Sequence, residues 1–328
     1  MGKIELDRIF GINSDAQFQE LALEVFRFQA AENPVYKAYL NHLGIQPESV
    51  KFLDDIPFLP VEFYKKHRVV TGDMDHKVIF ESSGTTGEDT SKHYICDLDL
   101  YRRSFTSAFN LFFGNPSGYC ILALLPSYLE RQNSSLVYMA NELIRLSEHQ
   151  FSGFYLDDFT DLIRQLEILE FEHQPTLLLG VSFALLDLAD DFPLNLKNII
   201  VMETGGMKGR REELTRKELH ERLCIGLKLE SIHSEYGMTE LLSQAYAEKD
   251  GIFHSPPWVR VMIRDPYDPL SMMSRESSGG INIIDLANLY SCSFIATQDI
   301  GKISPDGGFE VLGRFDNSDI RGCNLMLE

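Results

Sequence analysis

The segment Ser82-Ser83-Gly84-Thr85-Thr86-Gly87 sets four hydroxyls and two glycines in consecutive positions, with Lys92 shortly after them. Glycine lets a backbone take positive φ or come close to a ligand. Successive N–H groups in such a loop can converge on one concavity and grip phosphate oxygens. A polar surface turn is the plainer use of the same residues. The loop is not a Walker A sequence, since G-x-x-x-x-G-K-[ST] is absent. A second constellation is Gly180-Val181-Ser182-Phe183-Ala184, close to a G-x-S-x-G nucleophile elbow. Ser182 with His233 or His254 would suit a hydrolase. Gly and Ser at a strand end also simply permit tight packing.

The elements around these residues follow from hydrophobic spacing. Residues 15–45 read as helical, with Phe18, Leu21, Val25 and Phe26 at helical intervals and Asn33-Pro34 as a stop. The stretch 52–70 carries Pro57 and Pro60 and reads as extended. Residues 77–87 read as a short strand entering the hydroxyl-rich loop. Residues 97–114 read as a helix closed by Gly114. Strands and helices then alternate: a strand at 119–128, a helix from 133 capped by Asn133 or Ser134, a strand at 176–182, a helix at 183–190, a strand at 198–206 and a helix at 209–224. Such alternation predicts an α/β sheet with parallel strands. Beyond about residue 255 the chain becomes β-rich, with turns between strands. We therefore expect an α/β core over 1–255 and a smaller β-rich subdomain over 256–328.

Composition narrows the function. The 328 residues carry a formal net charge of −19, which opposes binding to nucleic acid. An anionic ligand must then be held by local groups rather than by the overall field. Five scattered cysteines (Cys96, Cys120, Cys224, Cys292, Cys323) form no CxxC and no zinc spacing. An odd, sparse set fits reduced thiols in a cytoplasmic protein. No run of 18 apolar residues occurs, so no membrane span is expected.

Four further pieces follow the loop in order: Thr204–Gly209, Ser234–Glu240, Ala296–Ile303 and Gly313–Gly322. With the loop, they resemble the adenylate-forming superfamily of acyl-CoA synthetases, peptide-synthetase adenylation domains and luciferase-type enzymes. The segments 82–93 and 124–139 and the terminal Gly313–Leu325 are most similar to the acyl-protein synthetase of bacterial luminescence. The resemblance implies an adenylate-forming N-terminal domain, with mixed and parallel sheets flanked by helices. It implies ATP and Mg²⁺ as cofactors and a carboxylic acid, in that family a fatty acid, as substrate. An acyl reductase, an acyltransferase or a carrier protein would be partners.

The resemblance also implies roles. Ser82, Ser83, Gly84, Thr85, Thr86 and Gly87 would hold the ATP phosphates, aided by Lys92. Gly205, Gly206 and Met207 would line the adenine. Within the motif Glu235-Tyr236-Gly237, Tyr236 would pack on the purine. Thr239 would face phosphate, and Glu240 would hold Mg²⁺, a hard cation that prefers carboxylate oxygen. Asp299 would accept from the ribose hydroxyls, and Arg314 would reach the ribose or the α-phosphate. Cys323 would carry the acyl group as a thioester. Tyr128, Ser182 and Met238 lie near candidate acyl-pocket loops.

Three departures stand out. Gln298 replaces the glycine that normally precedes the ribose-binding aspartate, and Arg321 stands where a hinge lysine is usual. The sequence ends at Glu328, where full-length members continue into a small C-terminal domain bearing a lysine that assists adenylation. Adenylation without that lysine, supply of it by a partner, and nucleotide binding without catalysis are the three expectations this leaves.

Overall fold

The computed structural model describes residues 4–82, 90–126, 133–156, 159–205, 214–274 and 276–315. Near the N-terminus, helices Asp15–Glu32 and Pro34–His42 meet at Asn33. The Asn33 side chain accepts from Val35 and Tyr36 N–H and so caps the second helix. Pro34 therefore opens a helix as well as ending one, as its fixed φ allows. The proline-bearing stretch that follows is only partly extended. It holds a two-residue strand, β1 (Leu59–Pro60), and a short helix, Phe63–Lys66.

Strands β2 (Val78–Glu81) and β3 (Lys92–Ile95) form an antiparallel hairpin around the hydroxyl-rich loop. Helix Leu98–Phe113 comes next, with Asp97 accepting from Leu100 N–H at its start and Gly114 at φ +83° just past its end. Only glycine adopts that angle freely, which is why the helix stops there.

A six-stranded sheet forms the centre, in the order β5-β4-β6-β7-β8-β9. Its strands are β4 (Cys120–Leu124), β5 (Gly153–Phe154), β6 (Thr176–Val181), β7 (Ile199–Thr204), β8 (His233–Tyr236) and β9 (Ala245–Ala247). Its pairings are parallel except at β9, which runs antiparallel to β8. Every residue of β4 and β6 is buried, as expected of parallel strands covered on both faces. Helix Ser135–Ser147 is capped by Ser134, whose hydroxyl accepts from Val137 N–H. The last helix of this unit is described from Arg216, and residues 209–213 of its expected span lie outside the described residues. Thr215 and Glu218 form a capping box that sets the start.

A second sheet contains β10 (Val259–Arg264), β11 (Gly279–Asp285), β12 (Phe294–Ile303) and β13 (Phe309–Arg314), all antiparallel to their neighbours. β1 completes it, running parallel to β12. The N-terminal helices cover this sheet. Phe26 meets Phe294 edge-on at 5.9 Å, and Tyr36 stacks on Phe294 at 6.2 Å. The Gln29 amide donates to the carbonyls of Asn288 and Leu289, and Asn33 donates to that of Ser291. These bonds satisfy a buried loop whose polar groups would otherwise be costly.

The segment after β8 is stapled to the second sheet. The buried Asp285 carboxylate accepts from Leu242 N–H, Ser243 N–H and the Ser243 hydroxyl. Burial pushes this carboxyl up, and those donors oppose the shift. Among the described residues, no helix is long and apolar enough to cross a membrane.

Candidate active site

Alternation along β7 and β8 sorts their polar side chains between two faces. Glu203 and Ser234 project toward helix Arg216–Leu227. Glu203 pairs with Arg216 at 2.9 Å and lies 3.6 Å from His220, while Ser234 shares a hydrogen bond with His220 at 3.2 Å. Although burial opposes it, these partners hold the Glu203 carboxyl below its ordinary value.

Glu235 points the other way. The Thr204 hydroxyl donates to it, and Tyr246 is its cross-strand partner in β9. Burial pushes its carboxyl up to about 7, against the Thr204 bond and with help from the Glu203 charge. Gly237 follows on this second face, where an added Cβ would lie 2.4 Å from Glu235 Oε1. Glycine is needed there unless that carboxyl moves.

Tyr236 returns to the first face and joins the two sheets. Its ring meets Phe253 at 5.7 Å and Phe309 edge-on at 5.5 Å. Its hydroxyl donates to Asp299 Oδ2 at 2.7 Å. Burial and the adjacent Asp299 charge push the phenol well above its ordinary range. Asp299 and Arg314 are register partners across β12 and β13, and Arg314 Nε lies 3.3 Å from Asp299 Oδ1. Gln298, where the resemblance leads one to expect glycine, donates to Glu62 at 2.7 Å and accepts from Arg314. The departure thus ties β12 to the segment beside β1.

Glu240 is buried behind this group, and burial pushes its carboxyl up. The Ser91 side chain and the Arg314 charge act in the opposite sense, and the Asp299 charge adds to the rise. Ser91 belongs to the base of the hydroxyl-rich loop. Ser82 N–H donates to the Ser91 carbonyl at 3.0 Å, and Ser91 N–H donates to the Ser82 hydroxyl at 2.9 Å. The ends of the loop are therefore clamped next to Glu240. Lys92 is exposed and sits opposite Glu81 in the hairpin register. Thr239 accepts at its carbonyl from His93 Nδ1 at 2.8 Å.

The expected residues thus divide. Ser82, Tyr236, Thr239, Glu240, Asp299 and Arg314 gather where the hairpin base meets both sheets. Gly205, at φ +73°, ends β7 and turns the chain there. Glu235 faces away from this group. Ser83, Gly84, Thr85, Thr86, Gly87, Gly206, Met207, Tyr128 and Cys323 lie outside the described residues. Ser91, His93 and Asn288 were not foreseen. For Ser91 and His93 the signal is the run Ser91-Lys92-His93, in which polar residues occupy the buried side of the hairpin, and hydrophobic spacing is blind to that.

Ser182 does not assemble a hydrolase. It is 1% exposed, and its hydroxyl donates to Glu203 Oε2 or the Gly205 carbonyl, each at 3.3 Å. His254 instead lies 3.6 Å from Asp306, and the His233 ring lies against Phe113.

The donor set fits a nucleotide with a divalent cation. Asp299 offers carboxylate oxygen beside a cation and a phenol, and Glu240 offers one carboxylate. Mg²⁺ bound chiefly by phosphate and water needs no more from the protein.

No protein-family model matches the sequence, and no curated protein matches it. Solved structures do. A 2-hydroxyisobutyryl-CoA ligase, in an open conformation with 2-HIB-AMP and CoA, aligns at TM-score 0.64 and 13% identity, covering 92% of this chain and 70% of that one. ATP-bound MatB from Rhodopseudomonas palustris aligns at 0.53 and 17%, covering 72% and 47%. The luciferase-like enzyme of the nonluminescent mealworm Zophobas morio aligns at 0.51 and 17%, covering 75% and 60%. The chain spans about half the length of MatB. Two sheets joined at Tyr236, with helices on their outer faces, make this the mixed α/β fold of the N-terminal domain of adenylate-forming enzymes.

Proposed function

We propose that the protein activates a carboxylic acid with ATP and passes the acyl group to a thiol. The observation that carries the reading is the Tyr236–Asp299–Arg314 group beside Glu240 and the clamped base of the 82–91 loop, within this fold. Residues 1–255 would form the core and 256–328 the smaller subdomain, with the nucleotide between them. The loop residues 82–87, with Lys92, would bind the phosphates. Gly205 to Met207 would line the base, and Tyr236 would pack on it. Asp299 would orient the ribose, and Arg314 would counter the charge at the α-phosphate. Glu240 would hold Mg²⁺, which supplies neutralisation of phosphate charge.

A carboxylate is a poor electrophile because its charge deactivates the carbonyl. Its oxygen attacks the α-phosphorus, a P–O bond breaks, and pyrophosphate leaves, giving acyl-AMP. A thiolate then attacks the acyl carbon and AMP departs. Positioning and charge stabilisation are the protein's contribution. Burial pushes the described thiols up, Cys292 to about 12 and Cys120 to about 11, with Cys96 and Cys224 also raised. None of these four is an activated nucleophile. That supports Cys323, coenzyme A or a carrier protein as the acceptor. Fatty acids are the first substrates to try, and an acyl reductase or acyltransferase would consume the product.

ATP–pyrophosphate exchange with a panel of acids tests this, using wild type and Cys323→Ser. Acid-dependent exchange in both, with covalent acyl labelling lost only in the serine variant, is the expected result. Nucleotide binding without exchange for any acid would overturn the catalytic reading in favour of a binding subunit.

A further inference from the structure

We propose that His93 is a positioning residue, holding the Thr239–Glu240 peptide so that the Glu240 carboxylate, beside Ser82 and Ser91, is presented to the triphosphate and its divalent cation. This rests on the nucleotide reading above. The grip is visible from three sides. His93 Nδ1 donates to the Thr239 carbonyl at 2.8 Å. The Asn288 amide donates to the next carbonyl, that of Glu240, at 2.7 Å. Ser91, two residues before His93 and on the same buried side of the hairpin, faces the Glu240 carboxyl. Two successive carbonyls are thus held by side chains from separate parts of the chain, so the backbone carrying Glu240 has little freedom.

The imidazole itself is fixed. It is fully buried, and the Tyr64 ring meets it edge-on at 5.5 Å and 87°. The Tyr64 hydroxyl is in turn tied to Ser291 at 3.0 Å. A carbonyl only accepts, so the proton sits on Nδ1. Among the described residues Nε2 makes no hydrogen bond of good geometry, which leaves Nδ1 as the firm polar anchor of the ring, with the Asn288 side chain also bearing on the imidazole. Burial holds the group neutral, with its pKa lowered to about 4. A neutral donor positions the acid without adding a positive charge that would compete with a cation for it. Lysine or arginine at this position would do the opposite.

The test uses the full chain and ATP itself, measured by calorimetric binding in Mg²⁺ and in EDTA. His93→Leu removes the donor, whereas His93→Asn keeps an amide N–H near the position of Nδ1. The leucine variant should bind ATP about tenfold more weakly in Mg²⁺ while its affinity in EDTA stays within about twofold, and the asparagine variant should stay within about threefold of wild type in both. If the leucine variant does not fold, His93→Phe keeps a ring, lacks the donor and is read in the same way. Equal losses in Mg²⁺ and EDTA, or no loss in either, would overturn the proposal for His93 alone. Wild-type protein that binds no ATP in either buffer would overturn the nucleotide reading, and this inference with it.

Discussion

Glu235→Gln tests the energetics of the sheet directly. The carboxyl lies on the second face of β8, where the Thr204 hydroxyl donates to it, Tyr246 opposes it across the strand pair, and the Glu203 charge adds to its rise. Burial is the main cause of its rise from 4.5 to about 7. Between those values the folded chain holds a proton that the unfolded chain has released. Stability from this group is therefore lost as pH rises through the window, and the full penalty is reached above about 7. At about 1.4 kcal/mol per pH unit, the rise corresponds to about 3 kcal/mol. Glutamine keeps a carbonyl oxygen for Thr204 and cannot ionise. The variant should gain on wild type progressively from pH 4.5 to 7, ending near 3 kcal/mol, or about 5 °C in Tm, at pH 8. Urea denaturation at closely spaced pH values reads this as the difference between two curves, in which the titration of other groups cancels. A difference that stays flat from pH 4 to 8 would refute the argument that burial governs Glu235.

Tyr236→Phe keeps the ring on Phe253 and Phe309 but removes the donor to Asp299. Because Arg314 still faces that carboxylate, we expect a loss of about 1–2 kcal/mol in folding stability. A double-mutant cycle with Asp299→Asn should show coupling of similar size, and additive losses would refute the contact. Glu240→Gln should weaken ATP binding in Mg²⁺ by about tenfold and leave binding in EDTA unchanged. Since burial opposes its charge, Tm should hold or rise. Unchanged Mg²⁺ dependence would remove Glu240 from the cation site.

Local elements were largely legible because their causes are local. Gly114 ends its helix through its own positive φ, and Ser134 caps through a bond three residues away. The alternation between residues 119 and 224 pointed to a parallel sheet because strand-like runs recur between helix-like ones. Of the helix expected over 209–224, the described part begins at Arg216, where the Thr215–Glu218 capping box sets its start. That motif too was present in the chain.

The sequence by itself determined the main strands and helices of the alternating core, and it marked the short motifs whose chemistry suits a nucleotide. Only the tertiary structure decided which of those residues meet. Tyr236 finds Asp299 because Phe253 and Phe309 bring the two sheets together at that ring. Thr239 finds His93 because a hairpin far earlier in the chain folds back beneath it. β1 joins β12, and Gln29 and Asn33 satisfy the loop before β12, across most of the chain's length. Periodicity reports how one segment divides between core and solvent. It carries no information on the partner, because partners are chosen by the packing of the whole chain.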